Sequence, residues 1–300
     1  MPAHRPRMFH ELAPYYDALI AGKDTAAECR YLEALVGRYG RSPGRAWLDV
    51  ACGTGRHLAI LRRKFRVVGL DRSAEMLRVA RRRLPGVRLV RGDMRSFDLG
   101  EKFDVVSCLF SAIGHLASER ELLRTFRTLA SHLRPGGILL VEPWIDPEQF
   151  HSGFVHLVTS RASPLTVARL SYSRARGRQS KVEYHYLIGI VGRGVRHVTE
   201  TDVGLLVPQA RLLEMCAHAG LKARFLRRGL TPGRGLLVGQ KPGRGRRGRA
   251  KPGAGRSVRT PPRAARRPPS RPIPEGIGRP PAGGSARPRR FSGDRNDRRP

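Results

Sequence analysis

The sequence predicts an α/β protein built on an open, doubly wound parallel sheet, with an antiparallel sheet inserted near its end and a disordered tail after it. Three observations carry this expectation. From Ala46 to Glu142, short apolar runs alternate with amphipathic helical patterns, the rhythm of strand–helix–strand crossovers. From Phe150 to Val207 the period switches to the alternation of strands with one wet face. From Lys241 to Pro300 the chain is a repetition of Arg, Pro, Gly and Ala, with too little aliphatic bulk to fold alone.

Length and composition set the bounds. The chain has 300 residues, 40% of them hydrophobic, enough for one large or two modest cores. The net charge of +34 is uneven, because residues 241–300 alone carry 19 basic and 3 acidic side chains. Three readings of that tail stand side by side: a solvated appendage, a tether for nucleic-acid phosphates, and translation of GC-rich DNA past an ancestral stop. Cys29, Cys52, Cys108 and Cys216 lie far apart with no C-x-x-C, so neither a metal site nor a disulfide framework is expected, and a reducing cytoplasm fits best. No apolar run reaches spanning length, and no apolar stretch follows the N-terminal charges, so neither membrane insertion nor secretion is expected.

Taken in order, residues 1–45 read as a helical lid. An aromatic segment holds Phe9, Tyr15, Tyr16 and Asp17, and a helix over Thr25–Tyr39 places Ala26, Cys29, Leu32, Leu35 and Val36 on one face. Residues 46–149 read as the ligand-binding core. Ala46–Val50 is a strand too short for a helix, broken by Cys52-Gly53-Thr54-Gly55 and followed at once by helical spacing. Arg66–Asp71, Val87–Asp93 and Phe103–Ser111 repeat the strand, and Ser73 and Ser118 cap the helices that follow two of them. Arg134-Pro135-Gly136-Gly137 stops the second of these helices before a fifth strand, Ile138–Glu142. Residues 150–207 form the inserted sheet, with strands at Val167–Ser173, Lys181–Ile188 and Val195–Glu200, and residues 208–240 complete the core.

The turn after the first strand lacks the third glycine of a dinucleotide fingerprint, where Leu58 stands instead. Asp49 precedes it, repelling a pyrophosphate and attracting a cation such as S-adenosylmethionine, which carries a sulfonium, an ammonium and no phosphate; the alternative is an acid that merely caps the turn. Asp71, at the end of the second strand, is placed to accept ribose hydroxyls, or to cap a helix. Asp93 ends the third strand, where it can accept from an adenine amino group beside the soft side chain of Met94.

Several motifs then coincide: Leu48-Asp49-Val50-Ala51-Cys52-Gly53-Thr54-Gly55, Arg91-Gly92-Asp93-Met94-Arg95, Leu109 to Leu116, Val141-Glu142-Pro143-Trp144, Gly194-Val195-Arg196-His197 and Gly233 to Gly239. From about Phe9 to Gly239 the chain resembles the class I methyltransferases that use S-adenosylmethionine to N-methylate nucleotide-linked amino sugars, such as those of dTDP-desosamine and dTDP-mycaminose. The resemblance implies a homodimer with a Rossmann-like sheet and an inserted antiparallel sheet for substrate and dimer contacts. It implies a methyl donor held by Gly53, Gly55, Asp71, Asp93 and Met94, with Tyr16 at the donor's methionine end.

Two departures lie on the acceptor side. The family's Glu-Pro-Trp-Trp reads Glu142-Pro143-Trp144-Ile145 here, and its Ser-x-x-Arg-Glu-Gly turn reads Ser171-Tyr172-Ser173-Arg174-Ala175-Arg176-Gly177. The acceptor side is expected to use Trp144, with Arg234 and either Arg174 or Arg176 on the nucleotide diphosphate, since guanidinium suits two-pronged phosphate contacts. Methyl transfer to an amine needs no acid, so His115 is the candidate to take or relay the amine proton, and Glu142 to orient the amine. The competing reading is N- or O-methylation of a free small metabolite, or of RNA or protein drawn in by the basic tail.

Overall fold

The computed structural model describes residues 6–20 and 22–243. The expectation of disorder for the tail lies outside the described residues from 244 onward. Lys241, counted with that tail from its composition, is bound to the core: its backbone pairs with Gly137 and its ammonium donates to the Ala130 and Leu133 carbonyls.

The central sheet carries the predicted alternation. Its strands are β1 (Ala46–Val50), β2 (Arg66–Asp71), β3 (Arg88–Arg91), β4 (Phe103–Cys108), β5 (Leu133–Val141), β10 (Lys222–Leu226) and β11 (Leu236–Gln240), in the order β10-β11-β5-β4-β1-β2-β3. All neighbours are parallel except those of β11, which runs antiparallel to both β5 and β10. The order reverses between β1 and β4, and in such sheets the crevice beyond the strand ends at that reversal receives the ligand.

Helices cover both faces because the central strands are apolar on both sides. On one face, α2 (Thr25–Tyr39), α3 (Arg56–Leu61) and α4 (Ala74–Arg83) bury Leu32, Leu58 and Leu77 against Trp47, Val105 and Leu140. On the other, α5 (Glu119–Ser131) and α6 (Gln209–His218) bury Phe126, Leu129 and Met215 against Leu48, Val106 and Leu139. The caps read from sequence are made: the side chains of Ser73 and Ser118 accept from the backbone of Met76 and Glu121.

One helix stop needs correction. α5 ends at Ser131, and Arg134-Pro135-Gly136-Gly137 lies inside β5, as an irregularity where the pairing with β4 shifts register. Gly136 has φ of +78°, and a Cβ there would meet the Arg41 backbone at 2.9 Å, so the strand's kink is shaped by close backbone approach.

The second sheet, β6 (Val155–Ala162), β7 (Leu165–Arg176), β8 (Gln179–Ile190) and β9 (Gly194–Leu205), is a consecutive antiparallel meander. Sequence alternation missed β6, an edge strand exposed along most of its length, so no buried face prints a period on it. One face of the meander buries Val167, Tyr186, Ile188 and Val198 against Leu12 and Leu19 of the N-terminal segment. That segment includes the short helix α1 (Tyr16–Leu19).

Candidate active site

The loops beyond β1 and β2 form one side of the site. Ala51, Gly53 and Gly55 all have positive φ. At Gly55 a side chain would strike Leu84, whereas Gly53 faces open space, so a ligand can approach its backbone. Asp71 joins the two loops by accepting from the Gly53 and Ser73 amides, each at 2.8 Å. Its burial raises the carboxyl above the usual range, against the pull of those amides.

Asp49 is only 3% exposed and accepts from Ser107 Oγ at 2.6 Å. Burial pushes its carboxyl up to about 6, although the nearby His57 and the Ser107 hydroxyl oppose the rise. Both Asp49 and Gly53 line a cleft with Tyr16, Lys23 and Phe110. Lys23 lies 4.0 Å above the Phe110 ring and is balanced by Glu28, which also receives His57 at 2.9 Å. Burial favours protonated Glu28, yet the hydrogen bonds from His57 and Lys23 hold its carboxyl below the usual value. Tyr16 is buried, and burial followed by Asp71 and Asp17 raises its phenol. Its neighbour Asp17 accepts from Thr54 Oγ1 at 2.7 Å, tying the N-terminal segment to the glycine turn.

Beyond β3, Asp93 is held by Arg95 through its backbone amide and a guanidinium fork, with contacts of 2.6–3.1 Å. Those bonds keep its carboxyl below the usual range. Met94 packs partly buried against the core.

The loops beyond β4 and β5 form the other side. Phe110 and Ser111 take left-handed backbone conformations, φ +53° and +60°, rare for residues with side chains. Glu142 stabilises them: fully buried, it accepts from the Phe110 amide at 2.7 Å with one oxygen and from the Thr231 amide at 2.9 Å with the other. Ser111 donates to the Pro143 carbonyl and receives Arg234 at 2.8 Å. The Arg234 guanidinium lies 4.8 Å from the Trp144 ring, whose Nε1 donates to Ser180 of β8. Burial pushes the Arg234 pKa down, against the attraction of Glu142.

The inner face of the meander closes over this side. Arg169 packs its guanidinium 5.5 Å from the Tyr184 ring, and its Nε is buried without a hydrogen-bond partner among the described residues. Burial, and then the Asp202 carboxylate, push the Tyr184 phenol up to about 12. His115, in the turn Ala112–His115, sets its Nδ1 3.2 Å from Asp202 Oδ1 and its ring edge-on to Phe9.

The structure thus brings Tyr16, Asp49, Gly53, Gly55 and Asp71 together on one side, and His115, Glu142, Trp144 and Arg234 on the other. Arg174 and Arg176 do not join them. The residues paired with Arg169, Ser171 and Ser173 on β8 include buried Tyr186 and Val182, so alternation sends Arg174 and Arg176 to the opposite, exposed face.

Residues 48–137 match the model of a methyltransferase domain. The dTDP-3-amino-3,6-dideoxy-alpha-D-glucopyranose N,N-dimethyltransferase of Streptomyces fradiae is 43% identical, covering 76% of this chain and 90% of that protein. The dTDP-3-amino-3,4,6-trideoxy-alpha-D-glucopyranose N,N-dimethyltransferase of Streptomyces venezuelae is 42% identical over 73% of this chain and 92% of its own. The chain belongs to the family of dTDP-aminosugar N,N-dimethyltransferases. Among solved structures, Streptomyces venezuelae DesVI superposes with a TM-score of 0.73 at 40% identity, covering 77% of this chain and 98% of that one. SAM-bound CalS10, an amino pentose methyltransferase from Micromonospora echinaspora, gives 0.69 at 36%, covering 79% and 99%.

The enzyme is therefore a methyltransferase that uses S-adenosylmethionine. The donor is a phosphate-free cation, and it fits a cleft lined by buried Asp49, with Asp71 behind it on the Gly53 amide, Lys23 paired with Glu28, and Arg56 turned onto the Ile20 and Lys23 carbonyls. Sequence reading missed Lys23, Arg95, Arg169, Tyr184 and Asp202. A signal existed for Arg169 and Asp202, which are charged residues at inward positions of otherwise alternating strands.

Proposed function

We propose that this enzyme transfers methyl groups to the amine of a dTDP-linked deoxyaminosugar, forming a dimethylamino sugar for natural-product biosynthesis. The observation that carries the reading is a pair of half-buried guanidinium groups, Arg169 with an unpartnered Nε and Arg234 bonded only to the Ser111 hydroxyl, neither in a carboxylate ion pair among the described residues. Both lie near enough to Tyr16 of the donor cleft to influence one another's ionisation. Partly burying cations that no carboxylate pairs with directly, Glu142 acting on Arg234 only from a distance, is costly unless a ligand brings the charge, and a diphosphate does so with geometry that suits guanidinium.

The donor would be held by Tyr16, Asp49, Gly53, Gly55, Asp71, Asp93 and Met94, and supplies a methyl group activated by its sulfonium. The remaining work of this chain is positioning. Trp144, pinned by Ser180 and seated on Gly114, walls the acceptor space. Glu142 fixes the loops that carry Phe110 and Thr231; with both oxygens engaged by backbone amides, it orients the acceptor through those loops. A sugar amine resembling an α-amino group ionises near about 7.7–8.0, so a neutral fraction exists at neutral pH and His115 has only to collect the proton.

The outer face of the meander supports a homodimer. Leu157 is 59% and Leu187 49% exposed there, on the same face as Val155, Leu170, Tyr172, Val195 and Val203, a set of exposed apolar side chains interspersed with Lys181, Glu183, His185 and His197. The N-terminal segment acts as a lid, with Leu12 and Leu19 packed on the meander and Asp17 on the donor loop. Four free buried cysteines support a cytoplasmic setting.

The test is methyl transfer from S-adenosylmethionine to dTDP-linked 3-amino and 4-amino deoxysugars, followed by mass spectrometry. One of them gaining two methyls is the expected result. Donor binding without product across both overturns the substrate assignment.

A further inference from the structure

Asp202 Oδ1 is a buried carboxylate oxygen with no hydrogen-bond partner among the described residues, and it lies 3.2 Å from Nδ1 of His115. The Nδ1–H is not aligned on the oxygen in this conformation, but no other ionisable group is within ion-pairing distance of that nitrogen among the described residues. The two residues come from separate layers: His115 from the turn after β4, Asp202 from the inner face of β9. Register fixes the approach, because Asp202 pairs with Val182 two positions from the Tyr184–Glu200 pair. Glu200 is already occupied by the Tyr186 hydroxyl and the Met8 amide, and Glu142 by two backbone amides. Asp202 is thus the carboxylate of this pocket still free to accept a proton donor.

We propose that Asp202 is a positioning residue that fixes His115 in its Nδ1–H tautomer, leaving the Nε2 lone pair to take the proton of the methylated amine. This rests on the aminosugar reading above. After one methyl transfer the product nitrogen is a secondary ammonium, which cannot act as a nucleophile. Its N–H bond breaks with the electron pair staying on nitrogen, and the proton passes to His115 Nε2, giving a neutral secondary amine and an imidazolium. The Nδ1–H of that imidazolium is held by the Asp202 carboxylate, and solvent removes the proton before the next cycle. A first transfer can draw on amine already neutral in solution, but a second on the bound intermediate depends on this removal. The Asp202–His115 pair therefore controls dimethylation more than monomethylation.

Nitrogen-15 NMR of the full-length enzyme without donor or acceptor reads the tautomer directly. The neutral His115 ring is expected as Nδ1–H in the wild type, as a mixture in Asp202→Asn, and as Nδ1–H again in Asp202→Glu. In turnover with dTDP-aminosugar, Asp202→Asn is expected to lower the ratio of dimethylated to monomethylated product roughly 10-fold, below the 10²–10⁴ typical of losing a general base altogether. Asp202→Glu is expected to restore it. An Nε2–H ring in the wild type, or a product ratio unchanged in a folded Asp202→Asn enzyme, overturns the proposal. If Asp202→Asn does not fold, the wild-type tautomer still decides. Failure of the wild type to methylate any dTDP-aminosugar would instead overturn the substrate reading, with the tautomer result standing apart from it.

Discussion

At Asp49, burial sets the carboxyl at about 6 in the folded chain, against about 3.9 when unfolded. A carboxyl whose pKa rises on folding adds stability that is fully present below the unfolded value and lost as pH rises through the folded one. The loss is worth about 3 kcal/mol by linkage. In the donor-free enzyme, the stability gain of Asp49→Asn over wild type is therefore expected to grow from near zero at pH 4 to about 3 kcal/mol at pH 8, read by urea unfolding. A gain that does not change with pH would show that Asp49 is not the strained group. The same substitution should weaken donor binding, because a buried carboxylate left to be matched by a cation is a site paid for in stability. This residue was legible from its place before the glycine turn. Asp202 and Arg169 are legible only as charged residues at inward strand positions, because their placing beside His115 and the Arg234 loop joins residues 65 or more apart in sequence, which no local spacing encodes.

The elements that build the site differ in how plainly the chain announces them. Strand β2 ends in the punctuating Asp71 and is legible to the residue, whereas the apolar run from Phe103 reads on to Ser111 and β4 stops at Cys108, because Phe110 and Ser111 turn left-handed. The meander was legible where one face is buried and illegible at β6. The kink in β5 reads in sequence as a helix stop, since Pro135-Gly136-Gly137 normally ends structure and only its packing against Arg41 and Ser42 shows otherwise. Parity on β7 then decides function: it turns Arg169 inward and Arg174 and Arg176 outward, so these two stand beside the apolar outer face. On that face, Leu157→Lys combined with Leu187→Lys is expected to convert a dimer into a folded monomer in analytical ultracentrifugation. A wild-type chain that sediments as a monomer would remove the dimer from the account.

Across the whole molecule, the proposed site divides the labour between the two sheets: the central sheet would supply the donor side at the reversal of its strand order, and the meander brings the inward-facing Arg169, Tyr184 and Asp202. The N-terminal segment links them, with Leu12 and Leu19 on the meander and Asp17 on Thr54. Fold and donor chemistry are readable because both rest on short contiguous motifs, whereas the proposed acceptor side draws on six separate stretches and emerges only when they meet. The central claim is that Arg169 and Arg234 read a nucleotide diphosphate. The measurement that tests it most directly is kcat/KM for a dTDP-linked aminosugar and for the same sugar without the nucleotide, in the wild type and in Arg234→Lys. The wild type is expected to prefer the dTDP-linked substrate strongly. Arg234→Lys should raise KM for that substrate alone by about 10-fold or more, since hydrogen bonds to charged groups contribute about 1.5–3 kcal/mol each. Equal use of both sugars by the wild type, or an equal loss on both in Arg234→Lys, would contradict the account.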